Sequence, residues 1–449
     1  MLTSLRIQNF KSWQDTGAMR LAPITVLFGA NSSGKSSIIQ LLLMLKQTAS
    51  SPDPLQVLDL GGDRNSIVDL GTLSDVLHGH QAGNALSFHL GWKPQAPLRF
   101  TPRGPVYQGQ ISLDSTVYAE QPAARPALRE FEYRAPPSKV GLARVEKTGK
   151  YQLTTQGVNI NRPAGRPTHF DEPFKCYGFP QDVWSYAGDA FALFRIQQAF
   201  EAQLGEIGYL GPLREPAKPE YLWGGGQPSD VGQRGEFAVH ALLASSSKGR
   251  SRKTKTSTGT VETRVAQQLK NLGLIEGFRT EPIEAGGKLF RVQVIVKGGT
   301  TEVLLTAVGF GLSQVLPVIT LLNYAEPGST VILEQPEIHL HPSVQSSLAD
   351  AIIAAVKTRS IQVIVESHSE HLLRRLQRRV AEGPETASGL RPKDLAVYFC
   401  SLENGESHLE ELTVNEYGGI TNWPRDFFGD PMEDLGASLE AEMKRRGIS

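Results

Sequence analysis

One stretch of the sequence has the residue types and the spacing that hold phosphate groups. Residues 29–37 fit the pattern G-x-x-x-x-G-K-[ST], which ends here in Gly34, Lys35 and Ser36. Glycines let a loop curl so that its N–H groups point at anionic oxygens, and a following helix favours negative charge at its N-terminus. The pattern predicts that Lys35 reaches the β- and γ-phosphates and that Ser36 binds Mg²⁺. The residues expected to contact the nucleotide are Gly29, Ala30, Asn31, Ser32, Ser33, Gly34, Lys35, Ser36 and Ser37.

The segments on either side distinguish a phosphate loop from an ordinary Gly/Ser turn. Residues 24–28 form an apolar run typical of a buried strand, and residues 38–45 continue as an apolar helix. A phosphate loop requires this order of strand, loop and helix. We therefore favour the phosphate loop, and the ordinary turn is the alternative.

Two later apolar strands end in groups that could act on a bound nucleotide. The first ends in Glu334, Gln335 and Glu337, a pattern typical of a Walker B strand with Glu334 as the magnesium-facing carboxylate. The second leads to His368, whose imidazole could bond to the γ-phosphate or orient the attacking water. The candidate catalytic residues are Glu334, Gln335, Glu337 and His368, and the candidate metal ligands are Ser36 and Glu334.

Two further signals remain open. Ser313 stands at the start of an apolar helix, next to Gly309 and Gly311, so it is either a second phosphate receptor or part of an ordinary capped helix. His339 and His341 could suggest a metal, but no third ligand accompanies them. We favour a structural or interface use of these histidines over zinc.

The composition predicts a folded globular protein without a bulk affinity for nucleic acid. The chain has 449 residues, of which 40% are hydrophobic, and 46 basic residues balance 46 acidic ones. The two cysteines, Cys176 and Cys400, match no metal spacing. The sequence shows no signal peptide and no apolar run of about 18 residues, so we expect a cytoplasmic protein without membrane contact.

The remaining pattern predicts an α/β fold. Short alternating segments between residues 84 and 155, separated by Pro and Gly, predict an antiparallel β region. Residues 183–204 are helical in pattern. No heptad run is long enough for a coiled-coil arm. We therefore expect a phosphate-loop core with an antiparallel β lobe and no long coiled coil.

Two basic segments leave direct contact with DNA open. Residues 245–260 are polar and predict a loop, whose basic residues are Lys248, Arg250, Arg252, Lys253 and Lys255. The helix after His368 has basic residues on one face, namely Arg374, Arg375, Arg378 and Arg379. Solvated surface is the favoured interpretation of both, and contact with the phosphates of DNA is the alternative.

Taken together, the loop, the serine-bearing helix, the acidic strand and the histidine resemble an ABC-type ATPase. Residues 5–12, 28–31 and 337–342 narrow the resemblance to AAA family ATPases of the OLD/SMC/Rad50-like branch, and residues 420–430 are similar to the DUF3696 tail of some of these proteins. The resemblance implies a P-loop ABC-type ATPase head with ATP and Mg²⁺ as cofactors. It divides the chain into an N-terminal ATPase lobe with Walker A (1–92), a β-rich and helical insertion (93–210), a C-terminal ATPase lobe with signature, Walker B and histidine switch (211–380) and a DUF3696-like segment (381–449).

The resemblance also implies a mechanism. Two heads stack head-to-tail, and ATP held by residues 29–37 of one head is closed over by Ser313 of the other; higher assemblies of dimers remain open. The residue after the magnesium acid is usually a catalytic glutamate, but here it is Gln335, whose neutral amide cannot act as a general base. We predict slow turnover, with Glu337 as a substitute base if strand alternation continues past Pro336.

Three functions follow from these features. The favoured one is an ATP-gated sensor or scaffold that controls a separate effector, a nuclease or toxin, in bacterial anti-phage defence, and the defence role rests on family analogy alone. The alternative is a DNA repair or chromosome-maintenance ATPase that binds DNA directly, which predicts DNA-stimulated turnover and an affinity for DNA that falls steeply with salt. A self-contained nuclease is disfavoured because the acids between residues 394 and 411 form no Asp-x-Asp pair.

Overall fold

The fold is known from a computed structural model that describes residues 1–80, 83–95, 97–99, 106–121, 125–188, 190–251, 259–424, 442 and 445. The helices are α1 (Lys35–Ser50), α2 (Leu73–Val76), α3 (Ala190–Gly205), α4 (Ala238–Ser251), α5 (Val261–Asn271), α6 (Phe310–Tyr324), α7 (Pro342–Arg359) and α8 (Glu370–Ala381). The strands are β1 (Leu2–Phe10), β2 (Trp13–Asp15), β3 (Met19–Arg20), β4 (Ile24–Gly29), β5 (Ala85–Trp92), β6 (Leu98–Arg99), β7 (Val106–Tyr107), β8 (Ile111–Glu120), β9 (Arg125–Ala135), β10 (Ser138–Arg144), β11 (Tyr151–Gln156), β12 (Ile160–Asn161), β13 (Ala187–Gly188), β14 (Ile207–Leu210), β15 (Tyr221–Leu222), β16 (Ile275–Pro282), β17 (Leu289–Val296), β18 (Val303–Leu304), β19 (Thr330–Glu334), β20 (Gln362–Glu366), β21 (Leu395–Glu403) and β22 (Glu406–Leu412).

The central sheet has the order β14-β19-β20-β4-β21-β22 and is parallel except for β22. Its inner strands are continuous apolar runs because helices cover both faces of a parallel sheet. Alternate residues of β19 therefore enter different cores: Val331 and Leu333 pack with α6 and α7, whereas Ile332 packs with α1. The strand that precedes the phosphate loop lies between β20 and β21, so the loop emerges from the middle of the sheet.

A second, antiparallel sheet packs on the α1 side of the central sheet. Its strands follow the order β11-β10-β9-β8-β5-β1-β2, with β3 also paired to β1. Strand β8 alternates buried and half-buried residues, as expected of a sheet with one covered face. This sheet confirms the predicted antiparallel lobe. The domain boundary expected after residue 92 falls between β5 and β8, which are neighbours in this sheet, and the four-part division stays a prediction.

Two predicted segments differ from the structure. The loop expected from residue 245 begins later, because α4 continues to Ser251. The helix begins in the alanine- and leucine-rich residues 238–244, which favour a helix, and continues for two turns into the polar stretch. Arg252, Lys253 and Lys255 lie outside the described residues. The helix expected over residues 183–204 begins only at Ala190, after a 3-10 turn at Gln181–Ser185.

The helices of the described residues are all short. The longest of them, α7, has 18 residues, which agrees with the expectation of no long coiled coil. Across the described part of the chain, none of the helices combines the length and the apolar character needed to cross a membrane.

The C-terminal segment lies against α8. Gln377 donates from Nε2 to the carbonyl of Gly418, and the Arg374 guanidinium lies over the Trp423 ring, 5.1 Å from its centroid. Residues 425–430 of the predicted DUF3696-like stretch are outside the described residues. The described part of this segment therefore contacts the helix that directly follows His368 in the chain.

Candidate functional site

The phosphate loop joins β4 to α1 and depends on its two motif glycines. Gly29 has φ +142°, and a Cβ there would overlap the carbonyl oxygen of Cys400 on the neighbouring strand. Gly34, the N-cap of α1, has φ +91°, and a Cβ there would lie 2.8 Å from the indole nitrogen of Trp13. That indole nitrogen also donates to the Gly34 carbonyl at 3.0 Å. Only glycine fits at these two positions. Both residues have a positive φ, which strains other residue types, and neighbouring atoms leave no space for a Cβ.

The polar groups of this loop turn inward. Lys35 is 3% exposed, and its Nζ donates to the carbonyls of Gly29 at 3.0 Å and Ala30 at 2.6 Å. Ser33 is fully buried, and its hydroxyl has no partner among the described residues. A buried hydroxyl without a partner is costly unless a ligand satisfies it. The loop is therefore prepared for a polar ligand.

A cavity of about 300 Å³ opens above this loop. Seven consecutive loop and helix residues line it, from Asn31 to Ser37. The other lining residues are Ser12, Gln40, Gln335, Glu366 and His368. The N-terminus of α1, with its free N–H groups, lies at one side of this cavity and favours an anion. Three of the predicted site regions thus meet at one place.

The parallel order of the sheet explains this convergence. Strands β4, β20 and β19 are successive neighbours, so their carboxyl ends meet at one edge. In the register of β19 and β20, Glu334 is directly opposite Glu366, and in that of β20 and β4, Glu366 is opposite Leu27. Glu366 thus lies between the acidic strand and the phosphate-loop strand.

Glu366 is the site residue that the sequence analysis missed. The hydroxyl of Ser36 donates to both oxygens of its carboxylate, at 2.9 and 3.1 Å. The acid that contacts Ser36 is thus Glu366, whereas the sequence analysis named Glu334 beside Ser36 as the candidate metal ligand. The signal in the sequence was an acid that ends an apolar strand two positions before His368.

Glu334 is opposite Glu366 on the next strand, but its carboxylate has a different hydrogen-bond partner. Its Oε1 accepts a hydrogen bond from the Tyr209 hydroxyl at 2.9 Å. Burial, reinforced by the neighbouring Glu366 carboxylate, raises the pKa of Glu334 to about 7. Its role as a magnesium ligand stays a prediction, now with a second carboxylate next to it.

Gln335 and Glu337 do not share one strand face. Strand β19 ends at Glu334, and Gln335 has φ +43°, so the alternation considered for Glu337 does not apply. Gln335 lines the cavity, whereas Glu337 is 7% exposed and accepts hydrogen bonds from Ser367 Oγ and the His368 N–H, both at 2.8 Å. The geometry makes Glu337 a support for the histidine loop, and the idea of Glu337 as a replacement base loses its structural reason.

His368 stands at the mouth of the cavity with its ring exposed to solvent on one side. Partial burial and the Lys35 ammonium lower the pKa of His368 below its ordinary value. The imidazole is therefore neutral near neutral pH and can both donate and accept a hydrogen bond. This agrees with the predicted contact to a phosphate or a water, which remains a prediction.

Ser313 is buried behind the exposed start of α6, away from this cavity. It lies in the first turn of α6, is 8% exposed, and donates its hydroxyl hydrogen bond to the Phe310 carbonyl at 2.7 Å. It does not line the cavity of its own chain. Phe310, which is 53% exposed, packs edge-on against the ring of His339. The helix start is as predicted, and a nucleotide contact from Ser313 needs a second copy.

Arg214 connects α6 with the end of β19 and was not predicted. Its guanidinium is buried and donates to the carbonyls of Gln314, Glu334 and Gln335, at 3.3, 3.1 and 3.0 Å. Burial lowers the pKa of Arg214 to about 10, which leaves it charged at neutral pH. A single side chain therefore ties the serine-bearing helix to the cavity edge.

The two histidines considered for zinc have other partners. His341 caps α7 and contacts Ser343, and His339 packs on Phe310. Among the described residues no group of three or more His, Cys, Asp or Glu side chains could hold a metal. This favours the structural use that the sequence analysis preferred.

The arginines of α8 are paired with acids. Arg375 and Arg379 both contact Asp350, Arg374 contacts Glu370, and Arg378 contacts Glu382. Their charge is thus largely compensated within the chain. The favoured solvated surface and the alternative of contact with DNA both stay predictions for this helix.

Comparison with known proteins gives two family matches. Residues 1–78 and 245–373 match the AAA ATPase domain family, and residues 390–437 match a family of proteins of unknown function, DUF3696. Two segments of the chain thus match an AAA ATPase domain, and the mixed α/β sheet agrees with the predicted fold. No curated protein matches the sequence significantly.

Solved SMC heads are similar in structure at low sequence identity. The SMC head bound to the C-winged helix domain of ScpA has 12% identity and a TM-score of 0.50, over 92% of this chain and 98% of that one. The SMC head domain from Thermotoga maritima has 10% identity and a TM-score of 0.41, over 92% and 98%. The SMC head with an extended coiled coil from Pyrococcus furiosus has 11% identity and a TM-score of 0.47, over 98% of both chains. The first of these supports the fold alone.

The cavity fits a magnesium nucleotide. The orphaned Ser33 hydroxyl, which lines the cavity, and the α1 N-terminus suit phosphate oxygens. Carboxylate and hydroxyl oxygens are the ligands that Mg²⁺ prefers, and it takes only one or two carboxylates beside phosphates. The absence of a three-acid cluster therefore does not argue against this metal.

Proposed function

We propose that this chain, which carries an AAA ATPase domain and a DUF3696 segment, is a slow Mg²⁺-dependent ATPase that works as a head-to-tail dimer. The observation that carries this proposal is the cavity in which the phosphate loop, Gln335, Glu366 and His368 meet. Its lining provides donors for phosphate and one acid for a metal, Glu366. The remaining predicted contact, Ser313, is outside this cavity, which supports completion of the site by another copy.

Different residues of the cavity bind the phosphates, bind the metal and orient the attacking water. When nucleotide binds, the Lys35 ammonium exchanges its hydrogen bonds to the carbonyls of Gly29 and Ala30 for hydrogen bonds to phosphate oxygens. The N–H groups of the α1 N-terminus donate to the same oxygens. Bound Mg²⁺ supplies charge neutralisation on the phosphate oxygens, with Ser36 among the residues that hold it. Gln335 and His368 orient the attacking water through hydrogen bonds.

Slow turnover follows from the residue types at the cavity. Gln335 cannot accept a proton as a carboxylate does, and Glu337 is committed to Ser367 and His368. We expect a turnover number below about 1 s⁻¹, at the low end of the range for enzymes. A long-lived ATP state suits a protein that signals by the closed form rather than by rapid cycling.

The test is nucleotide binding, turnover and native mass of the purified protein with Mg-ATP and with Mg-ADP. We expect binding, slow hydrolysis and a mass of two chains or an even multiple in ATP, and a smaller species in ADP. Lys35→Ala is the inactive control. Absence of nucleotide binding would overturn the proposal, and a turnover number above about 10 s⁻¹ would contradict the role of Gln335.

The wider role that we propose is ATP-gated control of a separate effector, a nuclease or a toxin, in bacterial anti-phage defence. Its support is the family resemblance, together with the contact of the C-terminal segment with the helix that follows His368. A native pull-down with Mg-ATP from the source cells tests it. A stoichiometric nuclease-like or toxin-like protein is the expected result, and a dimer that carries only DNA would replace this role by the DNA repair alternative.

A further inference from the structure

We propose that Glu366 and Glu334 together form a two-carboxylate magnesium site with Ser36, and that Glu366 is its principal acid. This inference rests on the proposed function and specifies how the metal is held. The first observation is the contact of Ser36 with Glu366. The hydroxyl that the motif assigns to the metal donates to both oxygens of this carboxylate, at 2.9 and 3.1 Å. An ion bound by Ser36 is therefore in reach of Glu366.

The second observation is the register of the central sheet. Glu334 and Glu366 are opposite each other on adjacent parallel strands, so their side chains leave the same face of the sheet. Neighbouring strands are about 4.8 Å apart, a spacing at which two carboxylates can contact one cation. Both residues are the last of their strands, and Glu366 lines the cavity, whereas Glu334 is its neighbour on the next strand.

The third observation is that neither carboxylate has a direct ion pair with Lys, Arg or His in the part of the chain that the structure describes. Glu334 is 9% exposed and Glu366 is 3% exposed. The positive charge of Lys35 acts on Glu366, but its Nζ donates to two main-chain carbonyls and not to the carboxylate. Buried carboxylates are normally paired with a cation or coordinate a metal. A divalent ion at this position would add positive charge in direct contact with both carboxylates.

Glu366 as the general base is the competing role. The direct contact with Ser36 favours the metal, because a base must reach the attacking water while the Ser36 hydroxyl belongs to the loop side of the site. The two roles predict different measurements. A metal ligand sets the Mg²⁺ concentration that nucleotide binding needs, whereas a base changes the rate of hydrolysis and leaves that concentration unchanged.

The experiment is titration of a fluorescent ATP analogue against the purified full chain at a series of Mg²⁺ concentrations and in EDTA. Wild type is compared with Glu366→Gln, Glu334→Gln and the control Glu403→Gln, an exposed acid further along β21. We expect Glu366→Gln to raise the Mg²⁺ concentration for half-maximal binding about 10- to 100-fold, and Glu334→Gln to raise it less. In EDTA, Glu366→Gln should bind the analogue more tightly than wild type, because one negative charge facing the phosphates is removed.

A second readout uses Mn²⁺ in place of Mg²⁺, with the bound ion followed by electron paramagnetic resonance. We expect a Mn²⁺-nucleotide signal for wild type that Glu366→Gln weakens or alters and Glu403→Gln leaves intact. An unchanged Mg²⁺ requirement with a reduced hydrolysis rate would overturn this inference in favour of the base. Failure of wild type to bind nucleotide at any Mg²⁺ concentration would instead overturn the proposed function. A variant that only lowers the unfolding midpoint would assign Glu366 a structural role and reject the metal site.

Discussion

Two helices of this chain begin where a phosphate is expected, and they begin differently. At α1 the capping glycine, Gly34, has φ +91° and is enclosed by Trp13 and Ser407. At α6 the capping glycine, Gly309, has φ −57° and open space around it. The first helix start is built into the interior around a cavity, and the second is presented on a surface. The difference is consistent with the proposed function, in which the α1 start binds the nucleotide of its own chain and the α6 start contacts the nucleotide of a second copy.

Replacement of the loop lysine gives the largest expected contrast between the two starts. Lys35→Ala should weaken nucleotide binding about 10- to 100-fold, because charge-assisted hydrogen bonds to phosphate are lost. Isothermal titration with ATP and Mg²⁺ measures this. Lys297→Ala, an exposed lysine at the end of the β17 hairpin, is the control and should leave the affinity unchanged. Equal losses in both variants would mean that the α1 start does not bind the nucleotide.

The two capping glycines provide a matched pair for stability. Gly34→Ala should lower the free energy of unfolding by about 1–3 kcal/mol, since alanine at positive φ is strained and its Cβ overlaps the Trp13 ring. Gly309→Ala should change it by less than about 0.5 kcal/mol, because its backbone suits any residue and nothing lies near its Cβ. Urea denaturation of both variants measures the difference. A larger loss for Gly309→Ala would refute the contrast between an enclosed and an open helix start.

Arg214 links the two regions, so its removal should loosen both. Arg214→Met leaves three main-chain carbonyls without this donor, and we expect a loss of about 1–3 kcal/mol in the free energy of unfolding. Arg374→Met is the control, since its exposed ion pair with Glu370 contributes less than about 1 kcal/mol. If Arg214→Met were as stable as Arg374→Met, the hydrogen bonds of Arg214 between α6 and the cavity edge would not contribute to the free energy of unfolding.

Ser313 gives the smallest expected effect on a single copy. Ser313→Ala removes one hydrogen bond to the Phe310 carbonyl, worth about 1 kcal/mol or less. Nucleotide affinity of the monomer should stay within about twofold of wild type, whereas ATP-dependent self-association should weaken by the loss of a contact made only between copies. Analytical ultracentrifugation with Mg-ATP separates the two effects. A large loss of monomer affinity would place Ser313 in the site of its own chain.

The features that could be predicted from the sequence are those whose residues are adjacent in the chain. The phosphate loop could be found because strand, glycines, lysine and helix follow each other within residues 24–45, and local backbone requirements select those residues. The start of α6 and the antiparallel lobe were also predicted from local pattern.

Glu366 could not be predicted in the same way. An acid at the end of an apolar strand has many uses, and its proximity to Ser36 depends on the parallel register of β20 with β4, which is a tertiary property. The condition set for Glu337, that strand alternation continues past Pro336, is not met for a related reason. It assumed that the strand continued, whereas the chain turns at Gln335 with φ +43° and directs Glu337 into the interior.

Complementation between two defective copies tests the central claim most directly. Lys35→Ala lacks the phosphate contact, and Ser313→Arg blocks the surface start of α6. Each variant alone should fail to form the ATP-dependent dimer and to hydrolyse ATP. An equimolar mixture should regain both, because a heterodimer has one site with an intact loop from one chain and an intact serine from the other. Hydrolysis by Ser313→Arg alone at the wild-type rate, or a mixture as inactive as its components, would contradict a site shared between copies.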